Sequence, residues 1–111
     1  MEISTSNNDN AIILDVSGDV NIQSAPALRS AIQQQVGKGA KRVVVRLAEV
    51  NYMDSSGVGV LVSGLKLARD KKVPFCLVEV SRNVMDVIEV TRLTKIFNIY
   101  TDLSTALEQL N

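Results

Sequence analysis

Short runs of apolar and β-branched residues recur along the chain, and most are separated by segments with a helical spacing of apolar residues. Near-continuous apolar runs predict strands that helices cover on at least one face. The turn-forming residues Asn7–Asn10 separate the first two runs, so these two strands are predicted to form a hairpin. The predicted strands are Ile3–Ser6, Ala11–Ser17, Val43–Leu47, Phe75–Val80 and a short terminal strand at Ile96–Tyr100.

Four segments repeat apolar residues at every third or fourth position, which predicts helices with one face toward the core. Gly37 ends the first segment, and Pro74 lies beyond the second. Ser81 is the predicted cap of the third helix, and Thr101 or Asp102 caps the fourth. The predicted inward faces are Leu28, Ala31, Ile32 and Val36; Val58, Leu61, Val62, Leu65 and Ala68; Val84, Val87, Ile88 and Thr91; and Leu103, Ala106, Leu107 and Leu110.

This order of strands and helices favours a layered α/β domain with right-handed crossovers. We predict a mixed sheet of four to five strands with about four helices. The chain has 111 residues, of which 46% are apolar, and these values are typical of one globular domain. That single domain is predicted to span residues 1–111.

Charge and composition exclude several classes of partner. Twelve basic residues balance twelve acidic ones without a dense cationic block, so we expect no nucleic-acid partner, whose binding needs clustered cations. The polar N-terminus lacks an apolar signal core, and no apolar run approaches about 18 residues, so no membrane insertion is expected. Cys76 lies in an apolar run and is predicted to be a buried hydrophobe. We expect a reduced, cytoplasmic protein without a cofactor.

The junction Asp54-Ser55-Ser56-Gly57, between a strand and a helix, is the strongest candidate for chemistry. A helix N-terminus offers unpaired N–H groups and a positive dipole end, which suit an anion such as a phosphate. The chain contains no histidine, so Ser55 lacks the usual base, and a serine that receives a phosphate fits better than a nucleophile. Two alternatives stay open: Asp54 or Ser55 simply caps the helix, or Asp54 performs acid–base chemistry with Ser55.

Other catalytic and binding motifs fail on single positions. Gly57-Val58-Gly59 begins like a dinucleotide fingerprint, but Val62 stands where the third glycine is required. The nucleophile elbow needs a glycine where Met53 stands, and no Walker loop occurs. With no histidine and one cysteine, only scattered carboxylates remain for a metal ion. The sequence therefore predicts neither an enzyme nor a metal site.

The junction and its surroundings resemble the signature of the STAS domain family, the small bacterial domains of anti-sigma factor antagonists and sulphate transporters. Four segments carry this resemblance in order: Val16–Asn21, Ala25–Arg29, Val50–Leu61 and Leu93–Tyr100, the last followed by Ala106-Leu107. They cover nearly the whole chain. The short Asp-Ser-Ser-Gly motif alone is a weak signal, whereas four segments at suitable spacing are specific.

The resemblance implies a regulator that exchanges partners. In this family the unphosphorylated protein binds an anti-sigma factor that is also a serine kinase, and this frees a sigma factor. The kinase phosphorylates the first serine of the motif, which is Ser55 here, and a PP2C-type phosphatase removes the phosphate. The family also uses the loop after the second strand at the partner interface, so the resemblance places Asp19 and Asn21 near Ser55.

Asn21 departs from the family pattern because many members carry Asp there, which bears on any charge-dependent contact with the kinase. Arg92 stands where many members carry Gly. On the second helix, the stripe Val60, Gly64 and Leu67 has two interpretations, packing on a neighbouring helix or an apolar docking patch beside the acceptor. The predicted partner-binding residues are Asp19, Asn21, Asp54, Ser55, Ser56, Gly57, Val58, Val60 and Leu67.

The charge of a phosphate fits this switch. It adds about −1.5 to −2 charge to a chain with no formal net charge. A helix N-terminus tolerates an anion, so we expect the fold to survive phosphorylation and the partner interface to weaken. An interaction module of a transporter complex or signalling assembly, without a kinase cycle, is an alternative. A small hydrolase or transferase that uses Ser55 is a third.

Overall fold

A computed structural model of the chain describes residues 1–8 and 10–110. Over these residues the chain forms the mixed α/β arrangement predicted from its sequence. The strands are β1 (Glu2–Asn8), β2 (Ala11–Val20), β3 (Val43–Met53), β4 (Phe75–Val78) and β5 (Ile99–Tyr100). The helices are α1 (Ala25–Gly37), α2 (Ser55–Asp70), α3 (Arg82–Val90) and α4 (Leu103–Gln109).

The strands form one sheet in the order β1-β2-β3-β4-β5. β1 is antiparallel to β2, whereas the other neighbours are parallel, which confirms the predicted mixed sheet and its hairpin. The hairpin turn is shorter than predicted because Asn7 and Asn8 belong to β1, and Asn8 pairs with Ala11. Asp9 of the predicted turn lies outside the described residues.

Helices cover both faces of the sheet. One core joins α1, α2 and α3 to strand residues that include Leu14, Val45 and Leu77. The other joins α4 to the neighbouring residues Ile13 and Val44, among others. Successive strand residues point to opposite faces, so the continuous apolar runs of the central strands supply both cores.

Cys76 lies in the core under α4 and is fully buried, as predicted. Burial raises the pKa of its thiol to about 12, because the low-dielectric core disfavours the charged form. The thiol therefore stays neutral and acts as a packing group. No helix in the described part of the chain is long and apolar enough to cross a membrane.

β2 and β3 extend well beyond their predicted ends at Ser17 and Leu47, and those boundaries were wrong. Two irregularities in the β2–β3 ladder explain the error, because each places one extra residue in β3. The buried residues Leu47, Val50 and Met53 consequently recur every third position instead of every second. This spacing does not have the alternation by which a strand is recognised. The pairs that show the shift are Asp15 with Arg46, Ser17 with Glu49, and Asp19 with Tyr52.

The far end of β3 projects past β4 and is bonded by the start of α3. Ser81 Oγ donates to the Val50 carbonyl at 2.8 Å, and Asn83 Nδ2 donates to the Asn51 carbonyl at 2.7 Å. Ser81 occupies the predicted N-cap position, but its hydroxyl bonds β3 and does not cap the helix. The end of the β2–β3 pair is thus fastened on the side that lacks a neighbouring strand.

An ion cluster ties together the three central strands. Arg46 on β3 donates to Asp15 at 2.8 Å and binds both carboxylate oxygens of Glu79, at 2.8 and 3.0 Å. Glu79 has a φ of +50°, which ends β4 at Val78 rather than at the predicted Val80. β5 contains only Ile99 and Tyr100, so its predicted start at residue 96 was also too early.

Candidate functional site

The predicted junction lies where β3 passes into α2. Asp54 is the N-cap residue of α2, and its Oδ1 atom accepts hydrogen bonds from the N–H groups of Ser56 at 2.9 Å and Gly57 at 3.3 Å. The Asp54 N–H donates to the Val20 carbonyl at 3.1 Å, which fixes the junction against the end of β2. The capping role considered for Asp54 is therefore confirmed.

This cap corrects one expectation about the site. The helix N-terminus was predicted to offer open N–H groups to a phosphate, but those of Ser56 and Gly57 already donate to Asp54. An arriving anion would compete with a carboxylate that belongs to the chain itself.

The two serines of the motif differ in accessibility. Ser55 is the first residue of α2 and is exposed, whereas Ser56 is only partly exposed. The chain contains no histidine that could activate either hydroxyl. No cluster of three or more potential metal ligands occurs among the described residues. Ser55 is thus presented to solvent as the first residue of α2.

The loop after β2 is held by its own side chains. Asn21 Oδ1 accepts from the N–H groups of Gln23 at 3.0 Å and Ser24 at 3.1 Å. Ser24 Oγ accepts from the Asn21 N–H and donates to the Asp19 carbonyl, both at 2.9 Å. Each of these polar groups satisfies a backbone partner, so the loop has one well-defined shape.

The register of β2 and β3 brings this loop beside the junction, as the family resemblance implied. Asp19 pairs with Tyr52, and the carbonyl of the next residue in β2 accepts from Asp54. Asp19 is exposed and Asn21 is half-buried. The structure therefore brings these side chains to the same end of the molecule as Ser55. Their part in partner binding stays a prediction.

The α2 stripe of Val60, Gly64 and Leu67 lies along α1, and its part in docking stays a prediction. The side chain of Val60 is only 1% exposed, and a Cβ on Gly64 would lie 3.0 Å from Ile32 of α1. Both residues pack α2 against α1, in agreement with the packing interpretation of this stripe. Val58 is likewise 4% exposed and lies in the core. Leu67 is partly buried against the core, and its docking role stays a prediction.

A surface groove of about 530 Å³ lies beside Ser56, between the start of α1 and the first turns of α2. Five of its lining residues, Ile22 and Gly59 among them, were not in the predicted set of partner-binding residues. Ile22 is an apolar residue in a polar loop and Gly59 is a glycine within a continuous helix, and these irregularities were the available signals. The groove is lined by Ile22, Ala25, Pro26, Arg29, Ser56, Gly59 and Val60.

Comparisons with known proteins agree with this geometry. The family model described as STAS domain matches residues 2–106. The anti-sigma-B factor antagonist of Bacillus subtilis is 28% identical over 99 residues, which cover 89% of this chain and 90% of that protein.

Solved structures give the same likeness in three dimensions. The crystal structure of an anti-sigma factor antagonist from Mycobacterium paratuberculosis superposes with a TM-score of 0.83 at 26% identity, covering 96% of this chain and 91% of that one. The anti-sigma factor antagonist SpoIIAA, in its unphosphorylated form, gives a TM-score of 0.80 at 17% identity over 97% of this chain and 95% of its own. At that identity SpoIIAA supports the fold alone.

Proposed function

This chain belongs to the STAS domain family, and on that premise we propose that it is an anti-sigma factor antagonist switched by phosphorylation of Ser55. As a regulatory protein and not an enzyme, it acts by binding. Its unphosphorylated form binds an anti-sigma factor that is also a serine kinase, and this binding releases a sigma factor. The names of its relatives support the role of antagonist.

The exposure of Ser55 is the observation that carries the proposal. Ser55 begins α2 and is exposed, at the end of the molecule where β2 and β3 project past the sheet. Ser56, the alternative acceptor, is partly buried, and its N–H bonds Asp54. A kinase can therefore reach Ser55 without opening the fold, whereas Ser56 offers a less accessible hydroxyl.

The cap formed by Asp54 explains how a phosphate acts on the partner. The N–H groups of Ser56 and Gly57 already donate to this carboxylate, so a phosphate on Ser55 stands beside another negative charge that occupies them. The interface with the partner must then accommodate the charge of the phosphate, which weakens binding. A loss of about 1–3 kcal/mol there weakens binding about 5- to 150-fold, enough to redistribute the anti-sigma factor between partners.

In the proposed cycle, a PP2C-type phosphatase restores the unphosphorylated Ser55. Asp19, Asn21 and the residues of the junction form the partner surface, and their shared position at one end of the molecule supports this role. The proposal keeps the cytoplasmic location and the absence of a nucleic-acid partner expected from the sequence. It also treats residues 1–111 as a single domain.

Phosphorylation by the kinase tests the proposal directly. We expect the chain, incubated with the serine-kinase anti-sigma factor of its source organism and ATP, to gain one phosphate that mass spectrometry locates on Ser55. Ser55→Ala should accept none and should stay bound to the kinase, while Ser56→Ala, the matched control, should still be phosphorylated. Phosphate on Ser55→Ala would overturn the assignment. Binding of transporter subunits, with no phosphorylation at all, would favour the interaction module.

A further inference from the structure

The three glycines of α2 differ in the space that a side chain would find at each position. A Cβ on Gly57 would lie 2.5 Å from Met53 Cγ, which the packing does not allow without a shift, and one on Gly64 would lie 3.0 Å from Ile32 Cγ2, a tight contact. A Cβ on Gly59 would meet nothing within 4 Å. Glycine is an unfavourable residue in a helix, and the isolated fold gives no steric reason for it at Gly59.

Gly59 lies close to the proposed phosphorylation site. It is four residues after Ser55, so the two residues lie on the same face of α2. Gly59 is exposed and lines the groove beside Ser56. A helix position without a side chain lets another molecule approach the backbone closely, and here that approach would be one turn from Ser55.

Ile22 forms the opposite wall of this groove and has no role in the core. Its side chain is 74% exposed, although it belongs to the loop that Asn21 and Ser24 hold in one shape. A large apolar side chain kept in solvent by a rigid loop is preorganised for binding, because little conformational freedom is lost when a partner covers it.

The charge of the groove indicates the chemistry of its occupant. Arg29 is the charged residue among those that line the groove, and in the described part of the chain it forms no ion pair. Apolar walls from Ile22 and Pro26 lie beside this cation. A complementary surface would offer an apolar side chain with a carboxylate next to it.

We propose that the groove between Ile22 and Gly59 receives an apolar side chain of the anti-sigma factor, with a carboxylate of that protein on Arg29. Gly59 leaves room for this side chain against the α2 backbone. The inference rests on the proposed function, since it names the contacts by which the same partner is held beside Ser55.

Stability and affinity should change in opposite directions in Gly59→Ala. The alanine meets open space and favours the helix, so we expect the Tm of the isolated chain to rise by a few degrees. Affinity for the purified anti-sigma factor of the source organism, measured by calorimetry, should fall at least about tenfold because the methyl group occupies the docking position. Ile22→Ser should also weaken binding about tenfold while leaving the Tm unchanged, since the side chain is exposed.

Gly37→Ala is the matched control, because Gly37 is also exposed, lies in a helix and has nothing within 4 Å of a Cβ. It is outside the groove and should leave affinity unchanged. Unchanged affinity in both Gly59→Ala and Ile22→Ser would overturn the docking proposal alone, as would a lower Tm for Gly59→Ala. A wild-type dimer that Ile22→Ser separates would make a second copy the occupant and also overturn it. A wild-type chain that binds no anti-sigma factor would overturn the proposed function.

Discussion

At the scale of single residues, Asp54 places a negative charge at the N-terminus of α2. One of its carboxylate oxygens accepts from two helix N–H groups, so the chain supplies its own anion at this position. The capping carboxylate also interacts favourably with the positive end of the helix dipole. Asp54 therefore holds the terminus of the helix whose first residue is Ser55, the proposed acceptor.

Substitutions at Asp54 separate capping from charge. Asp54→Ala should lower the free energy of unfolding by about 1 kcal/mol, because two N–H groups lose their acceptor. Asn is a comparable N-cap, so Asp54→Asn should lose only the smaller charge–dipole part, about 0.3–1 kcal/mol. Urea unfolding followed by circular dichroism measures both values. Equal stability of the alanine variant and the wild type would contradict the capping role.

The departure of Asn21 from the family pattern has a geometric meaning. Its Oδ1 accepts from Gln23 and Ser24, and a carboxylate oxygen of Asp could accept the same two bonds. Asn at this position therefore keeps the shape of the loop and removes a negative charge from the end of the molecule that carries Ser55. The change thus concerns the surface charge at this end of the molecule, while the hydrogen bonds of the loop are kept.

At the scale of elements, the close packing of α2 on the sheet depends on Gly57. A Cβ there would lie 2.5 Å from Met53 Cγ and 2.8 Å from Val20 Cγ1, and both of these side chains are buried. The helix that begins with Ser55 is thus seated directly on the ends of β2 and β3. This close approach positions Ser55 relative to the loop after β2.

Gly57→Ala should therefore destabilise the fold, although alanine favours a helix by about 1 kcal/mol over glycine. Overpacking a filled core costs about 1–3 kcal/mol, and the buried methyl group must displace Met53 or Val20. We expect a net loss of about 0–2 kcal/mol in chemical unfolding, the two terms combined. The matched comparison is Gly59→Ala on the same helix, which should be more stable than the wild type. A stabilised Gly57→Ala would show that α2 can move away from the sheet.

The sequence predicts elements well where their apolar spacing is regular. The inward stripe of α2 has helical period, and of its predicted members Val58, Leu61, Leu65 and Ala68 are buried. The second half of β3 was missed because each bulge lengthens the interval between its inward residues. A bulge depends on pairing with a distant strand, and no local pattern encodes that pairing.

The candidate site likewise contains some features that the sequence predicts and others that depend on contacts between distant elements. Asp54 and Ser55 could be predicted because a capping residue and its helix are adjacent in sequence. For Val60 the sequence left packing and docking open, since the choice depends on α1, and it did not predict that Ile22 and Gly59 line one groove. Contacts between elements are set by tertiary packing, which periodicity alone does not specify.

At the scale of the whole molecule, the chain has no formal net charge but contains an ion cluster that links separate strands. Arg46 joins Asp15 of β2 to Glu79, which follows β4, so one guanidinium links the central strands. Its hydrogen bonds lower the pKa of Glu79 below the ordinary value for Glu. The exposed pair Arg82–Asp86, in contrast, lies within one turn of α3 and links no separate elements. Acidification should therefore act on the fold through the first cluster and hardly through the second.

The sign of this effect follows from the lowered pKa of Glu79. Unfolded Glu titrates at about 4.3, and in the folded chain it releases its proton at a lower pH. Its stabilisation is therefore complete above the unfolded pKa and is lost as the pH falls through the folded one. The urea midpoint of the wild type should decrease as the pH is lowered from 5 to 3, about the range in which such carboxylates titrate.

Arg46→Met should be less stable at neutral pH and should lose less on acidification, because Glu79 then titrates near its unfolded value. Arg82→Met is the matched control: its ion pair is exposed, and surface pairs of this kind contribute about 0–1 kcal/mol, so its acid dependence should follow the wild type. An unchanged acid dependence in Arg46→Met would show that carboxylates outside this cluster control acid unfolding. The expected difference would instead establish that an ionic tie, and not the core alone, holds β2, β3 and β4 together.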